Sequence, residues 1–137
     1  MRRLLVDAGP LVAIMSPQDQ HHQSCVRLLP RIPVPLFSCW PVITEAVWLL
    51  QADQSAVRRL LRLIHTEFLE LLPLAGSEAG RIAEFMERYE EIRPDLADAA
   101  LVYLAGRENI DTVFTLDRRD FSVYRFGRNR AFRILPD

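Results

Sequence analysis

Arg3-Leu4-Leu5-Val6-Asp7-Ala8-Gly9-Pro10-Leu11-Val12-Ala13-Ile14-Met15 holds a short apolar run, a carboxylate at its end, a turn signal and a second apolar run. Arg3 to Val6 reads as a buried strand ending at Asp7. Ala8-Gly9-Pro10 breaks it, and Leu11 to Met15 reads as a short helix. The alternation continues outward. A helix is expected over Gln20 to Leu29, with Val26, Leu28 and Leu29 inward, and a strand around Val34 to Phe37 after a proline-rich connection. Helices follow over Pro41 to Leu50 and Asp53 to His65, then a strand over Phe68 to Leu72. Ser77 is placed to cap a helix carrying Ile82, Phe85, Met86 and Tyr89 at helical spacing. Asp95 to Arg107 is the next helix, Thr112 to Thr115 a β-branched strand, and Phe132 to Leu135 a last strand. Strands alternating with helices predict an α/β domain: a short, mainly parallel sheet flanked by helices, spanning residues 1–137 as one unit.

The 137 residues are 50% hydrophobic and 26% charged, the make-up of an ordinary globular chain. No apolar run suits a membrane span and the apolar N-terminal stretch is too short for a signal peptide, so a cytoplasmic protein is expected. Cys25 and Cys39 lack metal-binding spacing and read as reduced, packed thiols. The net charge of −1 selects no partner, but its make-up excludes several. All 17 basic residues are arginine, which removes P-loop, Schiff-base and receiver-domain lysine chemistry. Arg118, Arg119, Arg125, Arg128, Arg130 and Arg133 crowd the chain's end among aromatics, either as a phosphate-contacting edge or as a solvated surface.

Four carboxylates interrupt apolar runs. Asp7 and Asp117 each stand just past a predicted strand, where sites gather in open α/β sheets. Glu45 lies in Val42-Ile43-Thr44-Glu45-Ala46-Val47-Trp48, and Asp98 in Leu96-Ala97-Asp98-Ala99-Ala100-Leu101. A carboxylate among apolar neighbours is costly unless paired. Arginine is scarce around three of them, so a divalent cation is the natural partner. Two carboxylates about 4 Å apart repel by roughly 4 kcal/mol at an effective dielectric near 20. All-oxygen ligation selects Mg²⁺ or Mn²⁺ over zinc. Such an ion suits phosphodiester hydrolysis by activated water. Plainer readings stand beside this one: Asp7 as a helix cap, Asp98 as a carboxylate favoured at position N3, Asp117 as an Asx turn. Asp95, directly after Pro94, reads as an N-cap rather than a metal ligand. Asp19, His21 and His22 read as surface residues, and His65 as a helix end.

Val6-Asp7-Ala8-Gly9-Pro10-Leu11-Val12-Ala13, Thr44-Glu45-Ala46, Asp95-Leu96-Ala97-Asp98-Ala99-Ala100-Leu101-Val102, and Thr115-Leu116-Asp117 with Asp120-Phe121 together resemble the successive motifs of PIN-domain proteins, VapC-type toxins above all. No single motif is specific; four in order across the chain are. The polar loop Pro17 to His22 resembles stand-alone, PilT-like members as much as toxins. The resemblance implies a short parallel sheet between helices, with Asp7, Asp98 and Asp117 facing Mg²⁺ or Mn²⁺. Glu45 would bind metal or orient the attacking water, Thr115 would donate a supporting hydrogen bond, and Asp95 would be a supporting acid. It further implies an endoribonuclease, paired with an antitoxin whose helix occupies a groove, and commonly a homodimer.

Two rivals remain. A phosphatase using Asp7 as nucleophile wants a second aspartate where this chain has Gly9. A catalytically silent module of the same fold, holding a partner helix, would be favoured by loss of one of the four acids, and all four are present. Self-association is expected through apolar faces at Val42 to Leu50 and Val57 to Ile64.

Overall fold

A computed structural model describes residues 2–137. Its first unit is built by one side chain. Strand β1 (Leu5–Val6) ends at Asp7, whose Oδ1 accepts the N–H of Ala8 at 2.8 Å and starts helix α1 (Ala8–Met15) at once. Ala8-Gly9-Pro10, expected to break the chain, is instead the first helical turn. Proline is tolerated there because its missing N–H would have had no helical partner.

The elements continue as α2 (His22–Leu28), a 3₁₀ turn over Leu29–Arg31, β2 (Leu36–Ser38), α3 (Trp40–Leu49), α4 (Gln54–Leu63) and β3 (Leu69–Leu71). A second 3₁₀ turn, Gly76–Glu78, precedes α5 (Ala79–Arg88) and α6 (Leu96–Glu108). The chain ends with β4 (Thr112–Phe114), α7 (Arg118–Val123), a hairpin of β5 (Arg125–Phe126) and β6 (Arg130–Ala131), and β7 (Arg133–Leu135). Two expectations shift. Ser77 falls inside the 3₁₀ turn, and the Oε1 of Glu78 accepts the N–H of Ala75 at 2.9 Å, reaching back over that turn. In α2 it is Cys25 that is buried, while Val26 is 39% exposed. Both cysteines are free and buried, as packed thiols should be.

The main sheet has five strands in the order β3-β2-β1-β4-β7, every pair parallel. The chain moves outward from β1 through β2 to β3, then returns to β1's other side as β4. That reversal opens a crevice at the carboxyl ends of β1 and β4, whose register places Val6 beside Phe114. Asp7 and Thr115 are the next residues along the two strands, so they enter the crevice together.

The helices flank this sheet. Helix α1 packs against α2, α3 and α4, α5 lies against α6, and α3 meets α6. Helix α6 is apolar nearly all round, with Ala97, Ala99, Ala100, Leu101, Val102, Leu104 and Ala105 buried, which demands cover on several sides. It stops at Asn109, whose left-handed φ of 55° ends the helical path. The buried polar Ser38 is satisfied by donating to the carbonyl of Val6 at 2.9 Å, and no buried side-chain polar atom among the described residues lacks a partner.

Candidate active site

Three helices begin at the crevice, and each begins with an aspartate cap. Asp7 starts α1, Asp95 starts α6 by accepting the N–H of Asp98 at 2.9 Å, and Asp117 starts α7 by accepting the N–H of Asp120 at 3.1 Å. The last two share one grammar, Asp-x-x-Asp, in which the cap also seats a second carboxylate three residues on. Helix N-termini carry partial positive charge, so the fold can hold acids there that would otherwise repel each other. The capping readings of Asp7, Asp95 and Asp117 are seen directly, and capping does not exclude a metal-facing role for any of them.

The carboxylate oxygens of Asp98, Asp117 and Asp120 lie within 4.8 Å of one another. Asp120 belongs to the fourth motif but was given no role in the site from sequence, though its place three residues after Asp117 repeats the Asp95–Asp98 spacing. Asp7 lies behind this group, only 6% exposed. The Thr115 hydroxyl donates to Asp7 Oδ2 at 2.8 Å and accepts the N–H of Asp117 at 3.0 Å, tying β4's end to both acids. Tyr124, fully buried, donates its hydroxyl to Asp98 Oδ2 at 3.1 Å. Its ring is held edge-on by Phe85, Tyr89 and Phe121. Glu45, on α3, is not one of the three converging acids, but it lies close enough to feel the charges of Asp95, Asp7 and Asp98. Asp19 is elsewhere, accepting the N–H of His21 at 2.8 Å in the turn before α2.

The electrostatics follow from burial and crowding. Asp98 is pushed up to about 8 by burial, then by the charges of Asp7 and Asp95, against the pull of the Tyr124 hydroxyl. Glu45 is likewise pushed to about 8, by burial first and then by the hydrogen bond and charge of Asp95. Burial raises Asp7 too, opposed by the Ala8 N–H and the Thr115 hydroxyl, and burial with the neighbouring Asp117 raises Asp120. Among the described residues none of these acids has an arginine within ion-pair distance; the ion pairs use Glu78, Glu108 and Asp111 instead. The converging donors are all carboxylate oxygens, a set that fits a hard divalent cation and does not favour a soft one.

An apolar groove of about 540 Å³ adjoins Glu45 and Asp95. Trp40, Trp48 and Leu96 line it and are 59%, 67% and 54% exposed. The faces expected to mediate self-association are mostly used internally: Val42, Ile43, Ala46, Leu50, Val57 and Leu60 are core. The C-terminal arginines do not make one edge. Arg130 faces Asp111 and stacks over Phe126, Arg118 reaches the carbonyl of Pro136, and Arg125 turns toward α5 and α6.

Comparison with known proteins agrees with this fold. The PIN domain family model matches residues 4–127. Ribonuclease VapC26 of Mycobacterium tuberculosis is 27% identical over 135 residues, covering 97% of this chain and all of that protein. The crystal structure of VapC20 from Mycobacterium tuberculosis, a sarcin-ricin loop cleaving toxin, superposes with a TM-score of 0.74 over 80% of this chain and 86% of that one. At 16% identity that likeness speaks to the fold alone.

Proposed function

Because the chain belongs to the PIN-domain family, we propose that it is a metal-dependent endoribonuclease, the toxin of a toxin–antitoxin pair, acting through Asp7, Glu45, Asp98, Asp117 and Asp120. The observation that carries this reading is the convergence of Asp98, Asp117 and Asp120 without any neutralising arginine. Those three residues would hold Mg²⁺ or Mn²⁺, with Asp7 behind them fixed by Thr115. A bound ion there would neutralise charge on the scissile phosphate and make water a better nucleophile. Glu45, whose proton affinity burial and Asp95 raise in the metal-free protein, would bind the ion or orient the attacking water once a cation offsets that crowding. Asp95 serves by capping α6 and by setting the proton affinity of Glu45. Tyr124 holds one oxygen of Asp98 and would leave the other for the cation.

The exposed groove of Trp40, Trp48 and Leu96 supports a protein partner beside the site, either an antitoxin helix or a second copy of the chain. A binding module without catalysis is the weaker reading, since the acids of the site are all in place. Among the described residues no helix is long and apolar enough to cross a membrane.

Single-stranded RNA carrying a label at one end tests the chemistry. Cleavage is expected with Mg²⁺ or Mn²⁺ and not in chelator, leaving 5′-phosphate and 3′-hydroxyl ends. Asp7→Asn, Asp98→Asn and Asp117→Asn should each remove most activity, while Asp19→Asn should leave it nearly intact. Cyclic-phosphate ends, or full activity in chelator, would overturn the assignment.

A further inference from the structure

Away from the acidic crevice lies a cleft of about 340 Å³ between α5, α6 and the β5–β6 hairpin. Its charge is opposite in kind. Arg81 and Arg88 come from one stripe of α5, seven residues and about 10 Å apart along the axis. Arg107 enters from α6 and Arg125 from β5. Arg107 is already matched, by Glu78 at 2.8 Å and Glu108 at 2.9 Å. Among the described residues Arg81, Arg88 and Arg125 have no carboxylate within ion-pair distance. Main-chain carbonyls of Ser122, Val123 and Tyr124 hold the Arg125 guanidinium at 2.9 to 3.1 Å, which fixes its position without cancelling its charge. Glu84 is the one further acid on the wall, so the cleft keeps a net positive charge.

The floor is backbone. Gly106 and Gly127 approach so closely that a Cβ on Gly106 would stand 3.0 Å from the Gly127 nitrogen. Gly127 turns the hairpin with φ of +53°. The cleft shares helix α6 with the acidic site. Val102, on its wall, is one helical turn beyond Asp98 on α6. Tyr124 holds Asp98 while its neighbour Arg125 lines the cleft. A crowd of acids repels a polyanion, and a strand that places one phosphate there needs positive charge close by for the next.

We propose that this cleft is a phosphate subsite, in which Arg81, Arg88 and Arg125 hold the RNA strand beyond the scissile bond. The inference rests on the ribonuclease reading above and names where that substrate lies. The test compares the dinucleotide UpU with a long oligouridylate, using the full chain with Mg²⁺ and the double variant Arg81→Gln/Arg88→Gln. A second double variant, Arg58→Gln/Arg62→Gln, removes the same charge from the exposed face of α4. The cleft variant should lower kcat/KM on the long strand roughly tenfold, mainly through KM, and leave UpU unchanged. The slope of log affinity for the long strand against log salt should flatten by about 1.4, at about 0.7 per phosphate contact. The α4 variant should do neither. Equal loss on both substrates, or equal effects of the two variants, would overturn the subsite. If the wild-type chain cleaves neither RNA, the ribonuclease reading fails, and the salt slope of binding, read by anisotropy, still decides the cleft. Unchanged RNA binding with lost affinity for polyglutamate would assign the cleft to an acidic protein and overturn it too.

Discussion

Asp98 shows how one residue can be readable in sequence yet depend on structure for its chemistry. A carboxylate between Ala97 and Ala99 in an apolar helix had to be paired, and that much was legible. Its partners Tyr124 and Asp120 lie more than twenty residues away and are brought to it by the fold, so no spacing announced them. The same crowding makes a stability prediction. Asp98 and Glu45 rise from 3.8 and 4.5 to about 8 on folding, so between those limits the folded state binds more protons than the unfolded one. Metal-free stability is therefore fully present at acid pH and lost as pH rises toward 8. Asp98→Asn should raise the metal-free melting temperature at pH 8 by about 3 °C or more, and much less at pH 5. It should also shrink the gain from added Mg²⁺. Calorimetry at the two pH values checks this; an unchanged melting temperature at pH 8 would show that the acids do not strain one another.

At the scale of elements, the strands and most helices followed from apolar periodicity, while their ends did not. The turn read into Ala8-Gly9-Pro10 failed because proline in a first helical turn costs little, and only the Asp7 cap reveals which case applies. The β5–β6 hairpin has two-residue strands, and α7 has six residues, both too short to print a period on the sequence. Caps make a separable prediction. Asp95→Ala should cost α6 about 1 kcal/mol of capping, whereas Asp95→Asn keeps the cap and removes the charge facing Glu45. Metal-free at pH 8, the asparagine variant should match or exceed the parent in denaturant midpoint and the alanine variant should fall below the asparagine variant. Equal midpoints for the two would mean that Asp95 does not act as a cap.

At the scale of the whole molecule, the parallel sheet and its acidic crevice were legible because an α/β order has few topologies and places its sites at strand ends. The division of surface was not. Apolar residues of α3 and α4 were visible, but which of them the protein's own core consumes depends on how the layers meet. What remains outside includes Trp40, Trp48, Leu49 and Leu96, large apolar side chains more than half exposed. Light scattering at micromolar concentration should find a dimer, and Trp48→Glu should shift it to monomer. A parent that is monomeric without any partner would remove self-association and leave the groove to a different protein.

Trp40 and Trp48 are the chain's only tryptophans, and both belong to that groove. Their indoles already face water in the native state, so their emission is long in wavelength before any unfolding begins. Intrinsic fluorescence in this protein is therefore a poor thermometer of folding and a selective dye for the groove. Covering it would move the emission to the blue, and acrylamide would quench less. Events confined to the arginine cleft, which holds no tryptophan, would pass unseen in the same spectrum.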